Sequence, residues 1–450
     1  MHKFVVLPEG RLEQRIPEAK PLYTQGEAET EANRCLYCVD APCIKACPTG
    51  IDVPTFIHKI ATGNVKGAAR TILSENLLGD SCGRVCPVEV LCAGSCVYNA
   101  WNRPPIQIGR LQRYATETAM KQTPLVQLVT PRRAARTKKK IALVGAGPAS
   151  IAAAGLLALE GHQAVIFERK AVPGGLNTLG IAPYKMQGTE ALNELDAVRT
   201  LGDVELRGGV EVVAGAAQGH QISAQALLRD FDAVLLGLGL GADTRLGIPG
   251  EDGQGVFGAV ELIERIKSEA GFSLGGARRA LVIGGGNTAI DIAHELRLLG
   301  VEDVSLVYRR GEADMSGYVH ELEYARKHGV KLIEHRVLAA YERDAGGKLT
   351  AVQLQQAEDG RGVPGTEERV PVDLVALAIG QSRATQIARA FEGVAVDAKG
   401  RVTVDPTTHR TGNPKVWSAG DCVNGGKEVV NAVQEAKIAV RDMLNALGEA

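Results

Sequence analysis

Eight of the nine cysteines in this 450-residue chain fall between Cys35 and Cys96. They run Cys35-x2-Cys38-x4-Cys43-x3-Cys47-Pro48 and then Cys82-x3-Cys86-Pro87-x4-Cys92-x3-Cys96. Thiolates a few residues apart can converge on one soft metal centre, and a Cys-Pro closing such a run is a signature of iron–sulfur ligation. The spacing predicts two [4Fe–4S] clusters and a small domain wrapped around them.

Two other uses of cysteine fit less well. Structural zinc favours paired Cys-x2-Cys knuckles, and only Cys35–Cys38 forms one. A disulfide framework suits a short secreted chain, whereas this one is long and opens MHKFVVLPEG with no apolar signal core.

The length allows two or three domains, each with its own core. A formal net charge of −1 with 45% hydrophobic residues gives no reason to expect nucleic acid as a bulk ligand. No uninterrupted apolar run reaches the roughly 18 residues of a membrane span. We therefore expect a cytoplasmic protein, in a reducing compartment that suits free thiolates.

Residues 1–34 are polar with Pro8, Pro17 and Pro21, and should begin loosely before a short helix that presents Cys35 and Cys38. Between the cysteine groups, Phe56, Ile57 and Ile60, then Ala68, Ala69, Ile72 and Leu73, recur at helical spacing with a stop at Gly63-Asn64. His58 reads as a surface or capping residue. The helical domain is expected over residues 1–125. The stretch 126–140, with a proline and a basic run, reads as a solvated linker.

From residue 141 the pattern becomes strand, glycine-rich turn, helix: IALV, then Gly145-Ala146-Gly147-Pro148-Ala149-Ser150, then an alanine-rich helix closed by Gly161. The next strand, AVIF, ends on Glu168, placed to accept from a ribose hydroxyl. Glycines let the backbone approach a pyrophosphate held at a helix N-terminus. Ser150 replaces the last glycine of the fingerprint, but Gly174-Gly175-Leu176 and a late VWSAGDCVNG, with Gly420 and Asp421 after an apolar strand, strengthen it. This layout resembles the two-dinucleotide flavoproteins typified by glutathione reductase. Cys422 reads as a packing residue.

A second turn stands in ALVIGGGNTAIDIAHELRLLG, where Gly284, Gly286 and Ala289 fill the fingerprint. The following strand, VSLVYRR, ends on Arg309-Arg310 instead of a carboxylate, which suits a 2′-phosphate. We assign the first turn to FAD and the second to NAD(P)H. LLGLGLG (235–241) and ALAIG (376–380) are read as the crossover strands. The expected fold class is α/β: a helical iron–sulfur domain followed by two Rossmann-like domains. The FAD domain spans 141–250 and 381–450, and the NAD(P) domain, 251–380, is inserted into it. The flavin site is expected from Gly145, Gly147, Pro148, Ala149, Ser150, Glu168, Gly175, Leu176, Lys185, Gly420 and Asp421. The nucleotide site is expected from Gly284, Gly286, Asn287, Thr288, Ala289, Arg309, Arg310 and Gly380. Neither domain carries a redox cysteine pair, so electrons leaving the flavin are expected to go to the clusters.

CLYCVDAPCIKACPTGIDVPTFI, CGRVCPVEVLCAGSC, PIQIGRLQRYATE, KIALVGAGPASI and VYRRG together resemble the N-terminal domains of the dihydropyrimidine dehydrogenase family, over nearly the whole chain. The glutamate synthase small subunit shares this architecture, but usually carries a glutamate sixteen residues beyond the last cysteine, where this chain has Gln112. The resemblance implies one cluster on Cys35, Cys38, Cys43 and Cys96, and another on Cys47, Cys86, Cys92 and Gln112, with Cys82 a non-ligand. It also implies a partner, an FMN-containing subunit that reduces uracil or thymine, since this chain holds no acid or base for that step. Ser316 stands where NADPH-dependent relatives carry a further arginine, and bacterial two-chain members are generally taken to use NADH, against the pull of Arg309-Arg310. The expected mechanism takes hydride from NAD(P)H onto the FAD N5 and passes single electrons through both clusters to the partner. A glutamate synthase input subunit, a stand-alone diaphorase and a structural zinc module are the competing readings.

Overall fold

A computed structural model describes residues 5–129 and 137–449. Its first part is helical, with α1 (Gln25–Ala32), α2 (Val53–Ala61), α3 (Val65–Leu73), α4 (Gly79–Val85) and α5 (Ile108–Gln122). Thr24 and Glu27 close a capping box that starts α1, and the helix ends at Ala32, shortly before Cys35. Asp52 and Asn64 accept from Thr55 N and Gly67 N, which satisfies orphan donors of α2 and α3. The expected apolar positions are all buried. Phe56, Ile57, Ile60, Ala68 and Ile72 pack with Leu111 and Ala115 of α5, beside Cys35, Cys43, Cys47, Cys92 and Cys96. Each fully buried large aliphatic or aromatic side chain contributes about 1.5–3 kcal/mol. Ala69 and Leu73 face the other way, into the core of the unit that follows. His58 is exposed, edge-on to Tyr37.

The first sheet holds β1 (Lys140–Val144), β2 (Gln163–Glu168), β3 (Val204–Gly208) and β4 (Ala233–Leu236). After β5 (Leu240–Asp243), the second sheet is built from β6 (Val256–Gly258), β7 (Arg279–Ile283), β8 (Asp303–Val307) and β9 (Val330–Ile333). The chain continues through an antiparallel pair, β10 (Arg336–Arg343) and β11 (Leu349–Glu358), then β12 (Leu374–Leu377), β13 (Gln381–Arg383) and β14 (Val416–Ser418). The two sheets are parallel, in orders β14-β4-β1-β2-β3 and β9-β8-β7-β12-β6. Their helices include α6 (Pro148–Leu159), α7 (Gly188–Val198), α8 (Ala259–Ser268), α9 (Asn287–Leu298), α10 (Val319–Lys327) and α11 (Val429–Ala446). In each sheet the strand order reverses at the strand before the glycine-rich turn, where open α/β sheets leave a crevice. Among the described residues no helix is long and apolar enough to cross a membrane.

Three expectations are corrected. ALAIG is not a crossover strand: its Leu377 ends β12, inside the second sheet. The crossing is made by the antiparallel ribbon of β5 with β13, which begins four residues after Leu377. LLGLGLG divides likewise between β4 and β5, because Gly237 and Gly239 interrupt it. Residues 1–4, where the loose start was expected, lie outside the described residues, and from Leu7 on the segment is packed. Leu7 lies in the core of the first sheet's unit, and Leu12 and Ile16 in that of the second. The buried Arg11–Glu13 pair sits beside them, with Glu13 accepting from Gly188 N at 3.0 Å. Three apolar residues without a period leave no periodic trace in a sequence. Of the expected linker, Leu128 and Val129 are buried in the first sheet's core, and 130–136 lie outside the described residues.

Candidate functional site

A cavity of about 640 Å³ opens at the carboxyl ends of the first sheet. It is lined by Gly145, Gly147, Pro148, Ala149, Glu168, Gly175, Leu176, Lys185, Gly420 and Asp421, each of them expected from the sequence. Gly145 adopts φ +92°, and a Cβ there would collide with the carbonyl oxygen of Gly237. Ser150 is fully buried behind the cavity wall, and the glycine facing it is Gly237. The small residue that the fingerprint places on the helix is thus supplied by the neighbouring strand end. Glu168 accepts from Ala146 N at 2.8 Å and from Lys170 N at 2.9 Å, which fixes its carboxylate at the rim. Burial raises the pKa of Asp421, which accepts from Lys427 N at 3.2 Å.

A second cavity, about 680 Å³, stands at the carboxyl ends of the second sheet. Gly284, Gly286, Thr288, Arg309, Arg310, Ser316 and Gly380 line it. Gly284, at φ +147°, meets the carbonyl of Ala378 as Gly145 meets that of Gly237. Strand β8 stops at Val307, so Arg309 and Arg310 stand in the turn beyond it rather than on the strand. Arg310 donates to Tyr308 Oη at 2.7 Å. Arg336, at the start of β10, also lines this cavity and carried no signal in the sequence. Ala289 is buried behind the turn, and Asn287 faces the first cavity, its Oδ1 accepting from Tyr318 N at 2.8 Å.

Where the two units meet, Lys185 Nζ lies 2.8 Å from Asp291 and 2.7 Å from Glu321. Burial opposes the charge on Lys185, but the two carboxylates outweigh it and hold its pKa above the usual lysine value. Burial and Asp291 push Glu321 up to about 6 against the pull of Lys185. Tyr184 Oη donates to Asp291 at 2.5 Å. Of this cluster, only Lys185 was expected.

In the helical part, Cys35, Cys38, Cys43 and Cys96 line one small cavity of about 30 Å³, walled by Leu36, Val53, Pro54, Ile57 and Ile106. These are the four thiols that the family resemblance groups together, brought from both cysteine runs into an apolar shell suited to a cluster. Burial and Cys35 push the Cys43 thiol up to about 11. Burial and Cys47 push Cys92 up to about 12. Cys86 lies within electrostatic reach of Cys82, Cys92 and Cys47, with Cys82 its strongest neighbour. Cys82 is buried and accepts from Asn76 Nδ2 at 3.1 Å. Gln112 is buried on α5, and its Nε2 donates to Gly79 O at 2.8 Å, the first residue of the helix that ends at Cys86. Among the described residues no three such side chains converge closely enough to hold a single ion. Val85 and Pro87, on either side of Cys86, line the first cavity. Nothing in the sequence announced that contact, which joins a cysteine to residues hundreds of positions later.

Residues 139–436 match the family model described as pyridine nucleotide-disulphide oxidoreductase. The chain belongs to this family. Residues 12–124 match a second model, described as dihydropyrimidine dehydrogenase domain II, 4Fe–4S cluster. The glutamate synthase [NADPH] small chain of Escherichia coli K12 is 32% identical over 448 residues, covering 94% of this chain and 92% of that protein. The NAD-dependent dihydropyrimidine dehydrogenase subunit PreT of the same organism is 33% identical over 424 residues, covering 94% and 95%. Mycobacterium tuberculosis FprA, solved with NADPH, matches in fold with a TM-score of 0.54 at 21% identity, over 69% of this chain and 85% of its own. The thioredoxin reductase of T. acidophilum matches with a TM-score of 0.53 at 23% identity, over 68% and 98%. The fold is therefore the glutathione-reductase-like one behind an iron–sulfur domain. The protein is a flavin and iron–sulfur oxidoreductase subunit that uses FAD, NAD(P)H and 4Fe–4S clusters.

Proposed function

We propose that this chain is the electron-input subunit of a two-chain dihydropyrimidine dehydrogenase, which serves an FMN-containing partner that reduces uracil or thymine. When bound, the nicotinamide supplies a hydride, the flavin divides its electron pair, and the clusters carry single electrons. The chain's own residues bind and orient. The Gly145–Gly147 turn and Glu168 would hold FAD in the first cavity, and the Gly284–Gly286 turn with Arg309 and Arg310 would hold the nucleotide in the second. Cys35, Cys38, Cys43 and Cys96 would ligate one cluster. Cys47, Cys86, Cys92 and Gln112 would ligate the other, and Val85 and Pro87, on either side of Cys86, line the first cavity.

Gln112 carries this reading. Its Nε2 is engaged by Gly79 O, so its carbonyl oxygen is the end available to iron. A neutral amide among thiolates leaves a cluster with one negative charge fewer than a carboxylate would, and net charge is a main determinant of cluster potential. The comparable identity to glutamate synthase small chains favours a second reading, in which the same electron chain serves an amidotransferase subunit. The deciding experiment is Gln112→Glu in anaerobic protein, assayed with the pyrimidine-reducing partner and uracil. The variant should keep both clusters, show a lower cluster potential, and slow uracil reduction while NAD(P)H still bleaches the flavin. Wild-type coupled turnover with an unchanged EPR signal would remove Gln112 from the ligand set and return the question to the glutamate synthase reading.

A further inference from the structure

A third cavity, about 240 Å³, lies between the helical domain and α10, on the far side of Lys185 and Glu321 from the flavin cavity. Its outer rim carries Lys20, Glu89 and His320, all partly exposed, with Lys20 paired to Glu89 at 3.2 Å and His320 Nε2 3.4 Å from the same carboxylate. Val85, Pro87, Lys185 and Glu321 line both cavities, so these four side chains form the wall between them. Of the carboxylates that line the flavin cavity, Glu321 is the one that also lines the third. Its Oε1 accepts from Lys185 Nζ at 2.7 Å. Its Oε2 is buried with no hydrogen-bond partner among the described residues. An unpartnered buried carboxylate oxygen is costly unless a proton or water meets it.

The reaction needs such a group. A hydride is one proton and two electrons. When NAD(P)H is oxidised to NAD(P)+ and both electrons leave through the clusters to an acceptor, one proton must leave the interior per nicotinamide. We propose that Glu321 carries that proton out of the flavin cavity, taking it on the Lys185 side and releasing it from Oε2 into the third cavity and so to solvent. Asp291 is less suited, because it is held by Tyr184 and Lys185 and borders the flavin cavity alone. A pKa of about 6, set by burial and Asp291, lets Glu321 take and lose a proton near neutrality. The groups facing it are Lys185 and Tyr184, Asp291 of α9, Glu428 through Tyr318, His320 and Tyr324 of its own helix, and Arg84, Glu89, Arg110, Arg113 and Lys20 across the third cavity.

This rests on the assignment of flavin and nicotinamide to the first two cavities and not on pyrimidine reduction. The test therefore uses the anaerobic holoprotein with NAD(P)H and ferricyanide, which balance as NAD(P)H plus two ferricyanide to NAD(P)+, two ferrocyanide and one proton. Flavin reoxidation and proton release are followed together by rapid mixing with a pH indicator, and the flavin midpoint potential is measured from pH 5 to 8. Glu321→Gln should slow proton release about a hundredfold and remove a break in the potential near pH 6. Glu321→Asp should restore much of both. Ala19→Phe, which narrows the third cavity from a residue that does not line the first, should slow proton release while the flavin bleaches at the wild-type rate. Flavin-loaded Glu321→Gln with wild-type proton release and the break intact would overturn the proposal, as would flavin-loaded Ala19→Phe with no slowing. Protein that binds no flavin would instead remove the assignment of the first cavity.

Discussion

Lys437 on the last helix, α11, reaches across to Glu75 after α3, with Nζ 2.9 Å from the Glu75 carboxylate and 3.0 Å from its carbonyl oxygen. The same ammonium donates to Thr49 O at 3.1 Å, two residues beyond Cys47. One half-buried cation thus ties the flavin unit to the loop that follows the first cysteine run. Its burial leaves those carbonyls few alternative donors, so the three bonds act on domain packing rather than on surface charge.

Lys437→Met keeps the aliphatic stem and deletes the donors. It should destabilise the docking of the iron–sulfur domain by about 2 kcal/mol. In chemical denaturation, loss of the cluster absorbance should then precede loss of the flavin signal, with the flavin unit's own midpoint unchanged. A single transition at the wild-type midpoint would show that the bonds contribute nothing to docking.

Cys82 and Cys86 are neighbours in space, yet the proposed ligand set contains only Cys86. Cys86→Ala should remove about half of the iron and acid-labile sulfide. Cys82→Ala should retain all of it and cost about 1 kcal/mol, from the small cavity and the Asn76 amide left unpartnered. Equal iron loss in the two variants would make Cys82 a ligand and displace Gln112.

Arg309 and Arg310 line the second cavity, where Arg310 donates to Tyr308 Oη at 2.7 Å. Their joint change to Ala should raise the KM for NADPH about tenfold, because a charge-assisted bond to a 2′-phosphate is lost. The KM for NADH should stay within about twofold, since NADH lacks that phosphate. Parallel changes for both nucleotides would take the pair out of recognition.

Glu194 on α7 is fully buried and accepts from Asp80 N at 2.9 Å and Ser81 N at 3.2 Å, at the start of α4. Burial and the nearby Asp80 push its pKa up to about 8 from the usual 4.5. An acid whose folded pKa is raised favours folding most below pH 4.5, and that stability is lost as the pH rises through about 8. Glu194→Gln should therefore flatten the fall in thermal stability between pH 5 and 8, making the variant relatively more stable at the alkaline end. Parallel wild-type and variant profiles across that window would rule out this titration.

Local chemistry made much of the protein legible in its sequence. Cysteine spacing announced the clusters, two glycine-rich turns announced the dinucleotide crevices, and Asn64 and Gly63 marked a helix boundary, because each signal depends on residues within a turn or two of one another. Ten of the eleven residues expected at the flavin site line one cavity; Ser150 is the exception, set behind it against Gly237. What the fold alone decided is long-range. Which four of nine thiols share the cavity of Cys35, that Val85 and Pro87 join Cys86 to the first cavity, that Leu7, Leu12 and Ile16 are core residues, and that Glu321 stands between two cavities all depend on surfaces brought together across hundreds of residues. Such contacts leave no period in the chain, since burial there is conferred by the partner surface and not by the neighbours in sequence.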